Sequence, residues 1–336
     1  MWASNGSEIV NTMLENVWKG REASTVNNYC LCIRKFLSYA LENNISTDLP
    51  LNSTTVAVYL SHLKIINTPK GSLNMTIAGL KWLHSFIPGV NKWNNPLNDE
   101  FLSKIVSGFQ RETGKSRNQK KPLTGDLVGK IIQASDLSDL VQLRDSLMIS
   151  LAYNLLLRFD EISHITCSHI TKNTDGFKIL IPKSKTDKFR NGKHVFLPES
   201  LSQSSTAGML SEYLKLTKLS IGQNHFLFCP LKKCGTTYAL SNKILAYTSF
   251  RDIVKKAVRK IGLDDKLYGT HSCRSGGATD LAPRVSEHDL LISGRWADAR
   301  SIRSYVEVSD QERFEMSGIL QSSMGSNASE IDHTTN

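Results

Sequence analysis

Eleven residues from Glu112 to Pro122 (ETGKSRNQKKP) carry no apolar period, and they divide this chain of 336 residues into two parts with different periodicities. Upstream, apolar residues recur at helical spacing; downstream, helical stretches alternate with period-two segments. A segment with nothing to bury cannot join a core, so it reads as a linker between two domains. It also concentrates Lys115, Arg117, Lys120 and Lys121, with Arg111 just before it. A basic linker can lie as a strap along a polyanion as well, and the two readings are compatible.

Between Ser24 and Phe109 the pattern predicts four amphipathic helices. The first carries Val26, Tyr29, Cys30, Ile33, Phe36, Leu37 and Ala40 as one stripe. The others are expected near Thr54–Ile66, Leu73–Phe86 and Asn98–Phe109, with Pro50, Pro69 and the Pro88-Gly89 pair as breakers. Residues 1–113 are therefore expected to form an all-α domain, with 1–20 a flexible lead-in, followed by a linker over 114–122.

The remainder, 123–320, mixes helix and sheet. Asp126–Ala134 and Leu140–Leu157 read as helices, the second so apolar that it belongs inside a core. Phe177–Pro182 and Lys193–Pro198 read as strands of a hairpin, with Asn191-Gly192 as a turn signal and Lys183, Lys185, Lys188 and Arg190 around the tip. Helices follow near Ala207–Thr217, Ser249–Ile261, Thr270–Leu281, Ser286–Ile292 and Ala299–Val306, and Ser286 with Asp289 fits a capping box. The polar, aperiodic residues 321–336 are expected to be disordered.

A net charge of +10 points to a polyanionic partner, because Lys and Arg that neutralise phosphates release condensed counterions. The alternative is a basic soluble protein with nothing bound. Six cysteines without CxxC spacing argue against a zinc module or a disulfide framework. The start, MWASNGSEIV, lacks the charge and apolar run of a signal peptide, and Leu147–Leu157 is too short to cross a bilayer. No membrane partner and a cytosolic or nuclear location are expected.

Three places set polar residues beside strongly apolar segments. Arg158 follows directly on Leu155-Leu156-Leu157, with Glu161 one turn along. A guanidinium there is costly unless paired or bound to a ligand, so the site is either a structural Arg–Glu pair or a binding group. His271 and Arg274 sit at i and i+3, expected on one helix face, among small residues at 275–278 that let another backbone approach. A solvated polar face is the plain alternative. The third place runs from Gly294-Arg295-Trp296 to Tyr305, where each aromatic alone carries little information. In the helix Ser249–Ile261, Arg251, Lys255, Lys256, Arg259 and Lys260 gather on one face, as a solvated surface or as phosphate contacts.

Taken in order, Arg158-x-x-Glu161, Lys185 in a hairpin, His271-x-x-Arg274, Trp296 and Tyr305 nine residues later resemble the tyrosine recombinase, or phage integrase, family. The motif resemblance spans about Lys121 to Leu320; the helical N-terminal domain resembles the family's core-binding, SAM-like domain by architecture alone. Trp296, where many members have a second His, and the GRW before the nucleophile resemble the Cre-like branch and the recombinases of DIRS-like and Crypton-like mobile elements. Leu156-Leu157 stands where many members have Thr-Gly.

The resemblance implies an α+β catalytic domain of the DNA breaking–rejoining type in which Tyr305 forms a 3′-phosphotyrosyl link, with no metal and no nucleotide cofactor. It implies Arg158, Arg274, His271 and Trp296 as donors to the phosphate and Lys185 as general acid, with Lys183 its rival. Glu161 is expected to orient Arg158 or His271. Double-stranded DNA is the implied partner, in a tetrameric synapse on two sites, with Val306–Leu320 docking on a neighbour or packing on its own domain. A recombinase-derived DNA-binding protein that no longer cuts, and a type IB topoisomerase, are the competing functions.

Overall fold

The computed structural model describes residue 15 and residues 20–91, 94–112, 120–183, 192–235, 237–306 and 310–325. The chain divides into two compact units, Met1–Arg117 and Asn118–Asn336.

In the first unit the described residues form α1 (Ala23–Glu42), α2 (Ser53–Ile65), α3 (Lys70–His84) and α4 (Glu100–Glu112), with a 3-10 turn at Pro96–Asn98 before α4. Each helix lies within a few residues of its expected place. The apolar stripes meet in one core: Phe36 and Ala40 of α1, Val56 and Leu60 of α2, Leu73 and Leu80 of α3, and Leu102 of α4. Fully burying one such side chain stabilises by about 1.5–3 kcal/mol. Local signals set the ends. The Asn52 side chain accepts from the Thr54 N–H, and Pro69, which has no N–H to satisfy, precedes α3.

The second unit contains α5 (Gly125–Gln133), α6 (Leu140–Asn154), α7 (Phe159–Ser163), α8 (Thr206–Thr217), α9 (Tyr247–Lys260), α10 (His271–Leu281), α11 (Glu287–Gly294), α12 (Ala299–Ile302) and α13 (Asp310–Gly325). A three-stranded antiparallel sheet joins β1 (Ile170–Asn173), β2 (Gly176–Ile181) and β3 (Lys193–Pro198) in that order, and β4 (Leu231–Cys234) pairs with β5 (Thr237–Leu240). Helix α6 is buried on nearly all sides, through Leu143, Leu147, Met148, Ile149, Leu151 and Ala152, and forms the axis of the core.

Several expectations need correction. Helix α6 stops at Asn154, because Leu156 turns left-handed (φ 49°). Strand β1 and the β4–β5 hairpin were not legible, since four-residue strands leave too little alternation to detect. The helix expected over Ala299–Val306 is a single turn ending at Ile302, and α13 runs to Gly325, into the stretch expected to be disordered. Residues 326–336, the linker residues Lys115 and Arg117, and the hairpin tip with Lys185, Lys188 and Arg190 lie outside the described residues.

Among the described residues all six cysteines are free, no helix is long and apolar enough to cross a membrane, and no group of three His, Cys, Asp or Glu gathers.

Candidate active site

Two helix ends build the site, and both stop the same way. At the end of α6 the Leu157 N–H donates to the Ala152 carbonyl (3.0 Å) and the Leu156 N–H to the Tyr153 carbonyl (3.3 Å). At the end of α11 the Trp296 N–H donates to Leu291 (3.0 Å) and the Arg295 N–H to Ile292 (3.1 Å). Each is a Schellman turn with a left-handed residue, Leu156 (φ 49°) or Arg295 (φ 55°), where glycine is the usual occupant. A side chain there costs roughly 1–2 kcal/mol, so both turns are held by what surrounds them. The first turn delivers Arg158 and the second Trp296.

Glu161 lies at the centre, 1% exposed. Its Oε1 accepts from Arg158 Nη1 (2.7 Å), and its Oε2 accepts from the Arg158 N–H (2.9 Å) and from Arg295 Nη2 (3.0 Å). Arg274 Nη1 stands 3.7 Å from the same Oε2. Burial pushes the Glu161 carboxyl up, but Arg295, the Arg158 N–H, Arg274 and the Arg158 guanidinium outweigh burial and hold it below its ordinary range. Glu161 thus pairs with Arg158 through both carboxylate oxygens, and its other large partner is Arg295.

Arg274 is fully buried. It donates to the carbonyls of Leu156 and Gly294, which fixes its guanidinium between the two helix ends. The guanidinium carbon lies 4.4 Å from the Trp296 ring centroid and 5.2 Å from that of Tyr305. Burial, then the nearby Arg158, bring its pKa down to about 9, so it stays charged at neutral pH. Its depth depends on small residues: a Cβ on Gly276 would meet the Leu123 carbonyl oxygen, and one on Gly277 the Tyr153 carbonyl. The close approach expected of residues 275–278 is thus made by the chain before α5 and by the end of α6.

Tyr305 packs on this cluster, its ring centroid 5.3 Å from Trp296 and 6.3 Å from His271, and Thr279 Oγ1 donates to its carbonyl (3.3 Å). His271 and Arg274 do not share one environment. His271 is exposed at the first turn of α10 while Arg274 points into the core, yet both border Tyr305. The structure brings together Arg158, Glu161, His271, Arg274, Trp296 and Tyr305. Lys183 Nζ lies 3.9 Å from Asp160 Oδ2, at the described edge of the hairpin. Trp296 Nε1 and Arg274 Nε are buried donors of the cluster with no hydrogen-bond acceptor among the described residues.

Sequence reasoning gave no role to Arg295, which is 3% exposed and as central as Arg274. The signal available was a long cation wedged between Gly294 and Trp296 at a helix end. Among the basic residues expected to grip a polyanion, Lys255 and Arg259 on α9 approach Asp265 (3.9 and 3.5 Å), so part of that face is neutralised. Lys120 donates to the Lys266 carbonyl, and the Lys121 N–H donates to Leu267 (2.7 Å).

The two-unit arrangement, a helical unit followed by an α+β unit holding buried arginines against a tyrosine, is the fold of site-specific recombinases. A XerH site-specific recombinase bound to its palindromic difH substrate, in a post-cleavage complex, superposes with a TM-score of 0.64 at 18% identity, over 88% of this chain and 79% of that one. The chain belongs to the phage integrase family, whose description matches residues 121–312, and it is an enzyme of the tyrosine recombinase kind. It is 25% identical to an integrase/recombinase XerD homolog of Selenomonas ruminantium, over 86% of this chain and 83% of the relative. It is 22% identical to the recombinase Cre of Escherichia phage P1, over 94% of each.

Proposed function

We propose that this recombinase cleaves and rejoins double-stranded DNA through a 3′-phosphotyrosyl intermediate on Tyr305, in the service of a mobile element. One observation carries the reading: Trp296 Nε1 and Arg274 Nε are buried beside the Tyr305 ring without an acceptor among the described residues. A buried donor left unsatisfied costs roughly 1–3 kcal/mol, and a phosphate oxygen in the cluster relieves that cost.

The Tyr305 hydroxyl gives up its proton to solvent and attacks phosphorus as the bond to the 5′-oxygen breaks, so the phosphodiester energy is kept in the phosphotyrosine for the second transfer. Charge builds on the non-bridging oxygens as the pentacoordinate state forms. Arg158 and Arg274 grip these oxygens with forked donors, joined by the Trp296 indole and His271. Glu161 holds Arg158 in place from behind. Lys185 protonates the leaving 5′-oxygen; Lys183, near Asp160, is less free for that role.

Grip on the duplex comes from Lys115, Arg117, Lys120 and Lys121 of the linker region, from Lys183, Lys188 and Arg190 of the hairpin, and from Lys255 and Arg259 of α9. A tetramer on two DNA sites is supported by α13, which exposes Phe314, Met316 and Ile319. The place of action follows the DNA: the nucleus in a eukaryotic host, the cytoplasm otherwise.

A nicked suicide substrate, from which the 5′-hydroxyl diffuses away, tests the reading. A covalent protein–DNA adduct is expected with wild type and none with Tyr305→Phe. Tight DNA binding without adduct indicates a protein that has lost cleavage. Relaxation of supercoils without a specific site indicates a topoisomerase.

A further inference from the structure

Arg295 is buried beside the phosphate-binding arginines but spends its guanidinium on the protein. Its Nη1 donates to the carbonyls of Leu155 (3.2 Å) and Ser293 (3.0 Å), and its Nη2 to Leu156 (2.8 Å) and to Glu161 Oε2 (3.0 Å). It reaches these groups from a left-handed backbone that a β-carbon makes costly. The side chain therefore contributes more than the turn requires.

We propose that Arg295 is a positioning residue that occupies Glu161 Oε2, so that this carboxylate aims Arg158 through Oε1 and leaves Arg274 turned toward Trp296 and Tyr305. The proposal rests on the strand-transfer reading of the same cluster. Two distances carry it: Glu161 Oε2 is 3.0 Å from Arg295 Nη2 but 3.7 Å from Arg274 Nη1. The second gap is too long for a hydrogen bond and short enough to close by a small shift. In a buried setting a carboxylate with a spare lone pair attracts the nearest guanidinium strongly. With Arg295 gone, that guanidinium is Arg274, and its approach to Glu161 draws it off the aromatic pair. Charge adds to the argument. Three guanidiniums, of Arg158, Arg274 and Arg295, surround one carboxylate, a surplus of two positive charges matched to an anion.

The test is single-turnover cleavage of the nicked substrate by the full chain, alongside DNA affinity and thermal melting. Arg295→Met is expected to slow cleavage about 100-fold, the cost of a misplaced catalytic group, while DNA affinity stays unchanged. Arg295→Gly relieves the left-handed backbone and provides a second variant should the first fold poorly; it is expected to slow cleavage as well. Since the effect passes through Glu161, the double variant Glu161→Gln/Arg295→Met should cleave no more slowly than Glu161→Gln alone. A folded Arg295→Met or Arg295→Gly that cleaves at the wild-type rate overturns the proposal. So does a double variant in which the two losses multiply, a loss of DNA affinity in step with rate, or failure of both single variants to fold. If wild type itself yields no adduct, the strand-transfer reading falls, and the proposal with it.

Discussion

The guanidinium carbon of Arg274 lies 4.4 Å from the centroid of the Trp296 ring, with Arg274 fully buried and Trp296 7% exposed. A desolvated cation–π contact of this kind contributes about 2 kcal/mol. The contact sets the angle at which Arg274 faces Tyr305, while the indole N–H remains available to an acceptor.

Separating those two contributions of Trp296 gives the first prediction. Trp296→Phe keeps an aromatic face over Arg274 but removes Nε1–H. Cleavage is expected to slow about 10²- to 10³-fold, as on deletion of an oxyanion donor, with a small change in melting temperature. Trp296→Ala is expected to lose about 3–5 kcal/mol of stability in addition, read from denaturant unfolding.

Gly294 is tied to the same ring. A Cβ at this position would meet the Trp296 ring closer than any real contact allows, with Cζ3 at 1.7 Å, and the Gly294 carbonyl accepts from Arg274. Gly294→Ala is expected to displace the indole at a cost of about 1–3 kcal/mol, the usual price of overpacking. A shift in tryptophan fluorescence together with slowed cleavage would be the signature; an unchanged spectrum would contradict it.

Glu161 predicts a pH dependence. Its folded-state pKa is depressed, so it contributes stability above its ordinary value of 4.5 that is lost as pH falls through the folded value. Wild type is therefore expected to lose melting temperature more steeply with acid below pH 4.5 than Glu161→Gln, which starts less stable but lacks this dependence. Parallel curves for the two proteins would refute the assignment.

On α9, Arg259 Nε lies 3.5 Å from Asp265 Oδ2, which weakens its pull on phosphate. Asp265→Asn is expected to tighten DNA binding, and Arg259→Ala to weaken it and to reduce the salt slope of log K by about 1. Titrations at several salt concentrations read both effects. Identical slopes for Arg259→Ala and wild type would remove Arg259 from the interface.

In the helical unit, His84 is fully buried: its Nε2 accepts from the Leu51 N–H (2.9 Å), and its Nδ1 lies 2.8 Å from the Leu80 carbonyl oxygen, which fixes the tautomer. His84→Leu fills the space but leaves the Leu51 N–H unpaired, and is expected to cost about 1–3 kcal/mol in urea unfolding. Substitution by Leu without loss of stability would show that this bond contributes little.

Much of this molecule could be read before folding. The stripe of Val26, Tyr29, Phe36 and Ala40 announced α1, because burial on one face imposes a helical period, and the largely apolar stretch from Leu147, interrupted by Ser150, Tyr153 and Asn154, announced a helix buried on most sides. Arg158, Glu161, His271, Arg274, Trp296 and Tyr305 stood out by order and residue type. Short strands such as Ile170–Asn173 left no trace, since four residues give the alternation no room.

By itself, then, the sequence determined where most of the helices lie and set Arg158, Lys185, His271, Arg274, Trp296 and Tyr305, with Glu161, in the order of one motif. Only the tertiary structure decided that Arg274 is buried while His271, three positions earlier, is exposed, and that Glu161 is shared by Arg158 and Arg295. The reason is physical: Glu161 and Arg295 stand 134 positions apart, and which carboxylate a guanidinium reaches depends on two helix ends arriving at one point. Spacing along the chain encodes local period and does not encode that meeting.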